Sequence, residues 1–266
     1  PLQFDQEFGN SFHGTGNTLI SAETLLALRA IQPIEEQSDV KIFKQPEEDH
    51  NYLMFVDTSR GRGQDYSTFN VIDVSTNPFQ QVCVYRCNTM SPLLFPDLLY
   101  KYAMHYNECY VVVESNDAGQ VVVNGLYYDL EYENVFVESM VRANAIGVTM
   151  TKKVKRMGCS NIRDIMEQKK LTINDEETIR EMSTFIAKGS SYAADHNNHD
   201  DLMMNLVLFG WFTSTMFFRE ATDVKLKHML YKEKVKQLQD EVIPVGNMPT
   251  DAGNHPFGEG WQIWRG

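Results

Sequence analysis

The chain lacks several features that would settle its class at once. No apolar run approaches the ~20 residues that cross a bilayer, and the N-terminus PLQFDQEFGN has no basic region followed by a hydrophobic one. Neither membrane insertion nor secretion is indicated, which makes a cytosolic setting the default. The four cysteines, Cys83, Cys87, Cys109 and Cys159, have no paired CxxC spacing and are too sparse for a disulfide framework. Reduced thiols in or near a core are expected, with neither zinc nor disulfides. The motif GxxxxGK[ST] is absent, so this polypeptide has no P-loop of its own, and no internal repeat is visible.

Positive charge is scarce as well: 24 Lys and Arg stand against 36 Asp and Glu, a formal charge of −12. Such a balance argues against nucleic acid as a partner only if it is uniform, because phosphate binding needs local positive potential. It is not uniform. From Lys152 to Lys170 there are seven basic residues (Lys152, Lys153, Lys155, Arg156, Arg163, Lys169, Lys170) against two acidic ones, a local balance of +5.

What is present is a globular composition. The 266 residues are 42% hydrophobic and 11% aromatic, enough for one large core. SAETLLALRAI reads as a short helix capped by Ser21 and ended by Pro33, and the polar IEEQSDVKIFKQPEEDHN reads as a linker or surface excursion. The main domain is placed from about residue 45. YLMFV, STFNVIDV and QQVCVYRC follow as strands separated by turn residues, which suggests an antiparallel meander. SPLLFPDLLYKYAMHY has helical spacing, ECYVVVE is a buried strand, and SNDAGQVVVNGLYYDL is a helix entered through Ser115 or Asn116. ENVFVES reads as a strand, NIRDIMEQKK as a helix after the basic segment, and LTI as a short strand. HDDLMMNLVLFGWF is apolar on nearly every side and so is a buried helix, with Met203, Met204, Phe209, Trp211 and Phe212 as core residues. A charged helix, DVKLKHMLYKEKVKQLQDEV, and a Pro/Gly-rich tail from Ile243 to Gly266 close the chain.

The stretch FVDTSRGRGQDYSTFNVIDV carries the functional signal. A Gly-rich turn that cradles phosphate opens a helix, whereas here a strand follows. A hairpin beginning with Asp57 at the end of a buried strand instead sets one carboxylate at the mouth of a sheet, with arginines beside it. Two further sources of carboxylate point the same way. Glu114 ends CYVVVE, and Asp200 and Asp201 open the buried helix, where the helix dipole favours negative charge. If the two strands are parallel neighbours and the helix packs on them, the acids converge. Carboxylates so placed suit Mg²⁺ or Mn²⁺, and two such ions ~4 Å apart can activate a water and stabilise the leaving oxygen of a phosphodiester.

VDTSRGRGQDYS, VVVESNDAGQ and HDDLMMNLVLFGW together resemble the C-terminal nuclease domain of large terminases, the DNA-packaging motors of tailed bacteriophages, most closely the T-even type. The likeness runs from about Leu53 to beyond Trp211, and GVTMTKKVKRMGCSNIRDIMEQKKL fits the same group. The resemblance implies an α/β, ribonuclease H-like fold: a central mixed sheet with an antiparallel meander at the start, flanked by helices. It also implies cleavage of double-stranded DNA that trims concatemeric genomes, with Asp57, Glu114 and one acid of the HDD motif binding metal. AADHNNHDD offers Asp195, Asp200 and Asp201 for that third place; Asp201 is favoured, with Asp200 second and able to serve the other ion. Large terminases carry an ATPase domain before the nuclease, so residues 1–45 are expected to connect from such a domain, 46–242 to be the nuclease domain and 243–266 a tail. Portal protein and small terminase subunit are the implied partners, in the cytoplasm of the infected bacterial host at the procapsid.

Each residue also has a plainer role open to it. Asp65 is expected to be a turn former. Arg60 and Arg62 either approach a phosphate or are solvated turn residues. His196 and His199 lack the glutamate of HExxH and are taken as loop histidines. Lys152, Lys153, Lys155 and Arg156 are either a solvated stretch or contacts to the DNA backbone. The competing functions are a non-catalytic DNA-binding or docking module that keeps the fold, and an actin-like ATPase, which would need two duplicated lobes.

Overall fold

A computed structural model of the chain describes residues 17–138 and 146–222. Its elements are α1 (Ala22–Ala27), β1 (Glu35–Gln37), β2 (Val40–Ile42), β3 (Tyr52–Asp57), β4 (Ser67–Asp73), β5 (Phe79–Cys87), α2 (Phe95–His105), β6 (Tyr110–Val113), α3 (Gly119–Asn124), α4 (Lys152–Glu167), β7 (Leu171–Thr172), α5 (Glu176–Thr184), β8 (Phe185–Lys188), β9 (Ser191–Ala194), α6 (Asp201–Phe212) and α7 (Met216–Thr222). A single π-turn, Gly125–Asp129, extends α3. The expected charged helix over 223–242 and the tail over 243–266 lie outside the described residues.

β3, β4 and β5 form the expected antiparallel meander, and β6 joins the other side of β3 in parallel. The sheet therefore has the order β1-β2-β5-β4-β3-β6, with β7 parallel to β5. Several local expectations need correction. The segment taken as a linker supplies two strands, β1 and β2, and β2 pairs with β5 from Val40 opposite Tyr85 to Ile42 opposite Cys83. Its alternating Val40 and Ile42 are buried, which a reading dominated by the acidic flanks overlooks. α3 begins at Gly119 after Ala118, not at Ser115 or Asn116, because the chain first makes a turn at Asp117 with φ +50°. Among the described residues, ENVFVES makes isolated bridges at Val135 and Val137 and no continuous strand. The basic segment is itself the first turn of α4, capped by Thr151, whose Oγ1 accepts the Val154 N–H at 3.2 Å.

Strand alternation divides the core between the two faces of the sheet. Leu53 and Phe55 of β3 and Val112 of β6 point to one face, where they meet α1, α4, α5 and α6. Met54 and Val56, with Val111 and Val113, point to the other, against α2 and α3. As expected, α6 is buried almost all round, from Leu202 to Phe212, with Trp211 alone partly exposed. Its rings pack edge-on against the sheet, Phe55 lying 5.4 Å from Phe209 and 5.8 Å from Phe212.

α4 reaches α6 through a glycine contact. A Cβ on Gly158 would stand 2.2 Å from the Val207 carbonyl oxygen, and one on Gly210 would stand 2.6 Å from the Gly158 oxygen. Only bare backbone permits that approach, and Asn161 ties it by donating to the Gly210 carbonyl at 2.9 Å. Gly158→Ala must therefore push two buried helices apart, and a loss of about 1–3 kcal/mol is expected. Exposed Ser160→Ala, on the same helix, should stay within about 0.5 kcal/mol of the parent protein in denaturant unfolding.

Candidate active site

Asp57 has the parity of Leu53 and Phe55, and Glu114 that of Val112, so strand alternation alone aims both carboxylates at the face that α6 covers. Register brings them side by side. Val56 is opposite Val113 in the parallel pair, and the Glu114 N–H donates to the Val56 carbonyl at 2.9 Å, which makes Asp57 and Glu114 the next partners along. Behind Glu114 the chain doubles back so tightly that a Cβ on Gly119 would lie 1.8 Å from the Glu114 carbonyl oxygen. Glycine is thus required there to keep Glu114 at the sheet edge.

The N-terminus of α6 is fixed to the neighbouring strand β4. Thr68 Oγ1 donates to the Asp201 carbonyl at 3.2 Å, Asn205 Nδ2 donates to Thr68 Oγ1 at 2.9 Å, and Asn70 Nδ2 donates to the Leu202 carbonyl at 3.4 Å. The free amides of the helix go to a residue from outside it. Glu181 of α5, only 4% exposed, accepts the Leu202 and Met203 N–H groups on Oε2 at 2.7 and 3.1 Å. Arg86 Nε lies 3.3 Å from Glu181 Oε1. The same guanidinium lies 3.3 Å from the centre of the Tyr66 ring. The Tyr66 backbone amide in turn favours the charged form of the Asp201 carboxyl.

This arrangement leaves Asp200 and Asp201 uncommitted as caps. Asp200 occupies the N-cap position without a side-chain cap bond, and its Oδ2 accepts the Ala194 N–H at 3.1 Å. Asp201 Oδ2 is buried without a hydrogen-bond partner, and His199 Nδ1 stands 3.7 Å from it. His199 also meets the Tyr66 ring edge-on at 4.9 Å, so it lies closer to the acids than a loop histidine need be.

Burial and nearby negative charge act on Asp57, Glu114 and Asp201 in one direction. Burial, and then Glu114, Asp201 and Asp200, hold the Asp57 carboxyl well above the usual range. Burial pushes Glu114 up to about 7 against the pull of Lys155, with Asp200 adding to the rise. Burial pushes Asp201 up to about 6, opposed by the Tyr66 amide. An orphaned carboxylate oxygen among mutually repelling acids suits a hard cation. Among the described residues no three His, Cys, Asp or Glu side chains close around one point. The acids line an open edge, as suits an ion that takes one or two carboxylates and completes its shell with water and phosphate oxygens.

The cations predicted from the sequence separate into groups. Arg60 and Arg62 line a cavity of about 270 Å³ with Asp57, Asp65, Tyr66 and Asp201. Arg60 there makes a forked pair with Asp117, Nε to Oδ2 at 2.7 Å and a terminal nitrogen to Oδ1 at 2.8 Å. The charge of Lys155, whose Nζ lies 5.6 Å from the Phe185 ring centre, pulls the Glu114 carboxyl down, whereas Lys152 and Arg156 line a different cleft. Lys153 is exposed and lines neither.

The family model of the Terminase RNaseH-like domain matches residues 54–209, from the middle of β3 to α6. The chain belongs to this family. The large terminase subunits of Thermus virus P23-45 and Thermus phage G20c are 27% and 26% identical to it over 214 residues, which cover 78% of this chain. The chain spans only 40% of the length of those two relatives. Crystal structures of the large terminase nuclease from thermophilic phage G20c with bound cobalt and with bound magnesium share its fold. Each matches with a TM-score of 0.60 at 23% identity, covering 74% of this chain and 97% of theirs. The ribonuclease H-like terminase fold accounts for the mixed sheet with helices on both faces, and the duplicated lobe of an actin-like ATPase is not among the described residues.

The residues that the sequence reading missed are those that support the acids. Glu181 and Arg86 belong to no motif, and Tyr66 and Asp117 lie inside VDTSRGRGQDYS and VVVESNDAGQ without a role of their own having been read there. For Glu181 there was a signal: it falls on the buried face of α5 with Thr178, Ile179 and Met182, where an acid needs a partner.

Two outcomes follow from this geometry. In chelator, Glu114→Gln should raise Tm by about 2 °C or more. A raised carboxyl pKa disfavours folding above the ordinary carboxylate range and fully above about 7, so the gain should be larger at pH 8 than at pH 5. Glu181→Ala leaves two buried amides and Arg86 without their acceptor, and should cost about 2–4 kcal/mol by denaturant unfolding.

Proposed function

We propose that the chain is the nuclease domain of a large terminase, a metal-dependent endonuclease that cleaves double-stranded concatemeric phage DNA during packaging. The observation that carries this reading is the placement of Asp57 and Glu114 by strand register, and of Asp200 and Asp201 by the start of α6, at one sheet edge, with a buried Asp201 oxygen left without a hydrogen-bond partner. Family membership supports it, as do the metal-bound phage nucleases that share the fold.

Asp57, Glu114 and Asp201 would hold Mg²⁺ or Mn²⁺, and Asp200 would serve a second ion. When bound, such ions supply activation of the attacking water and stabilisation of the leaving oxygen. The chain's own residues do the positioning. Asp57 and Glu114 are set by strand register, Asp201 by the contacts of Thr68, Asn205 and Glu181 at the start of α6, and Arg60 and Arg62 offer guanidinium donors to a phosphate entering the cavity. Lys155 would approach the DNA beside Glu114, with Lys152, Lys153 and Arg156 along the same helix. Residues 1–45 would lead from an ATPase domain into a nuclease domain spanning 46–242, with 243–266 as a tail. From Thr18 onward the connecting segment packs on the sheet and helices, through Leu19, Ile20, Leu25 and the pairing of β2. The portal protein and small terminase subunit would be the partners, in the infected host's cytoplasm at the procapsid.

Plasmid incubated with the protein and Mg²⁺ or Mn²⁺ should be cut, with no cutting in chelator and no dependence on ATP. Intact plasmid in both metals would leave a non-catalytic docking module. Asp57→Asn and Glu114→Gln should each lower the cleavage rate by more than the 10- to 100-fold typical of losing an outer-shell partner. Asp201→Asn should lose more than Asp200→Asn, because only Asp201 keeps a buried oxygen uncommitted.

A further inference from the structure

Lys152, Arg156 and Arg163 recur at intervals of four and seven residues along α4 and so form one stripe on it. With Ser160 they make one wall of a cleft of about 410 Å³, and Ser191 and Tyr192 of the β8–β9 hairpin make the other. Gly189, with φ +61°, lets that hairpin turn tightly. The charge in this cleft is not balanced locally. Among the described residues neither Lys152 nor Arg156 enters an ion pair, and Arg163 has only its neighbour Asp164, at 3.8 Å. In a chain of net charge −12, three clustered cations with hydroxyl donors opposite them make a built site for an anion. Two guanidinium groups, an ammonium and hydroxyls match the oxygens of a phosphodiester chain.

The cleft adjoins the acidic edge. Cys159 at its base feels both Lys155 and Asp200, and the end of β9 reaches Asp200 through the Ala194 N–H. From Lys152 to Arg163 the helix rises about 16 Å, the axial span of about five nucleotides of one strand. We infer that this cleft is a second DNA-contact site, one that holds the phosphates of a strand running along α4 from the carboxylate edge and that works without metal. The inference rests on DNA being the substrate, and it adds Arg163 and the hairpin to the contacts, with Lys153 lying outside this cleft.

The test is made in chelator, where nothing is cut. A labelled 30-base-pair duplex is titrated at several NaCl concentrations against the parent protein, Arg163→Gln, the triple variant Lys152→Gln/Arg156→Gln/Arg163→Gln, and Lys101→Gln on the opposite face of the sheet. Each lost phosphate contact should flatten the salt dependence by about 0.9 units of slope. Arg163→Gln alone should therefore show a change of about one unit, the triple variant two to three, and Lys101→Gln none. Unchanged slopes in the first two variants would overturn the inference. So would saturable binding of inorganic phosphate that these variants abolish while duplex binding stays intact, which would mark the cleft as a small-anion site. Because the readout is binding without metal, failure here leaves the nuclease reading standing, and a plasmid that stays uncut leaves the cleft to be judged by its own slopes.

Discussion

Carboxylates gathered at one edge repel one another and lose solvent, and much of this fold serves to hold them there. Each of Asp57, Glu114 and Asp201 has its carboxyl raised by burial, and Asp57 is raised further by the other acids. A chain relaxing freely would splay them apart. Asp57 and Glu114 cannot move without breaking the β3–β6 ladder, and Asp201 cannot move without pulling α6 off β4. The cost is borne because the helix that carries Asp201 is also buried almost all round in the core.

Glu181 is the part of this design with the widest effect. An α-helix offers unpaired amides at its N-terminus, and a nearby acid normally takes them. If Asp200 or Asp201 did so, its carboxylate would be committed to its own backbone. Glu181 reaches in from α5 and takes the Leu202 and Met203 amides, so neither aspartate is spent as a cap of its own helix. The charge of Glu181 is itself balanced by Arg86, which connects through the Tyr66 ring to the hairpin after β3. Removing any one of the three would be felt at Asp201.

The cations follow a similar division of labour. Arg60 is held by Asp117 in an exposed fork, a pairing weak enough in solvent to exchange for a phosphate. Lys155 works against the burial of Glu114, while Lys152, Arg156 and Arg163 face a cleft of their own. A strongly acidic chain can thus present a confined positive path beside its acids.

The unbroken apolar runs YLMFV and CYVVV determined by themselves that Asp57 and Glu114 end buried strands, whereas the parallel register of β3 and β6 decided that the two acids share a face. The unbroken apolar run after HDD likewise determined a buried helix with acids at its start. The order of motifs pointed to the family that the comparisons show. Other features depend on contacts between residues far apart in the chain, and no local pattern encodes them. The pairing of β2 with β5, the cap supplied by Glu181 from twenty residues before Asp201, the glycine crossing of α4 and α6, and the cleft against β8–β9 are all of this kind. Local pattern chose the acids; tertiary packing decided which of their oxygens remain free, because a helix terminus takes the nearest acceptor in space, whatever its place in the sequence.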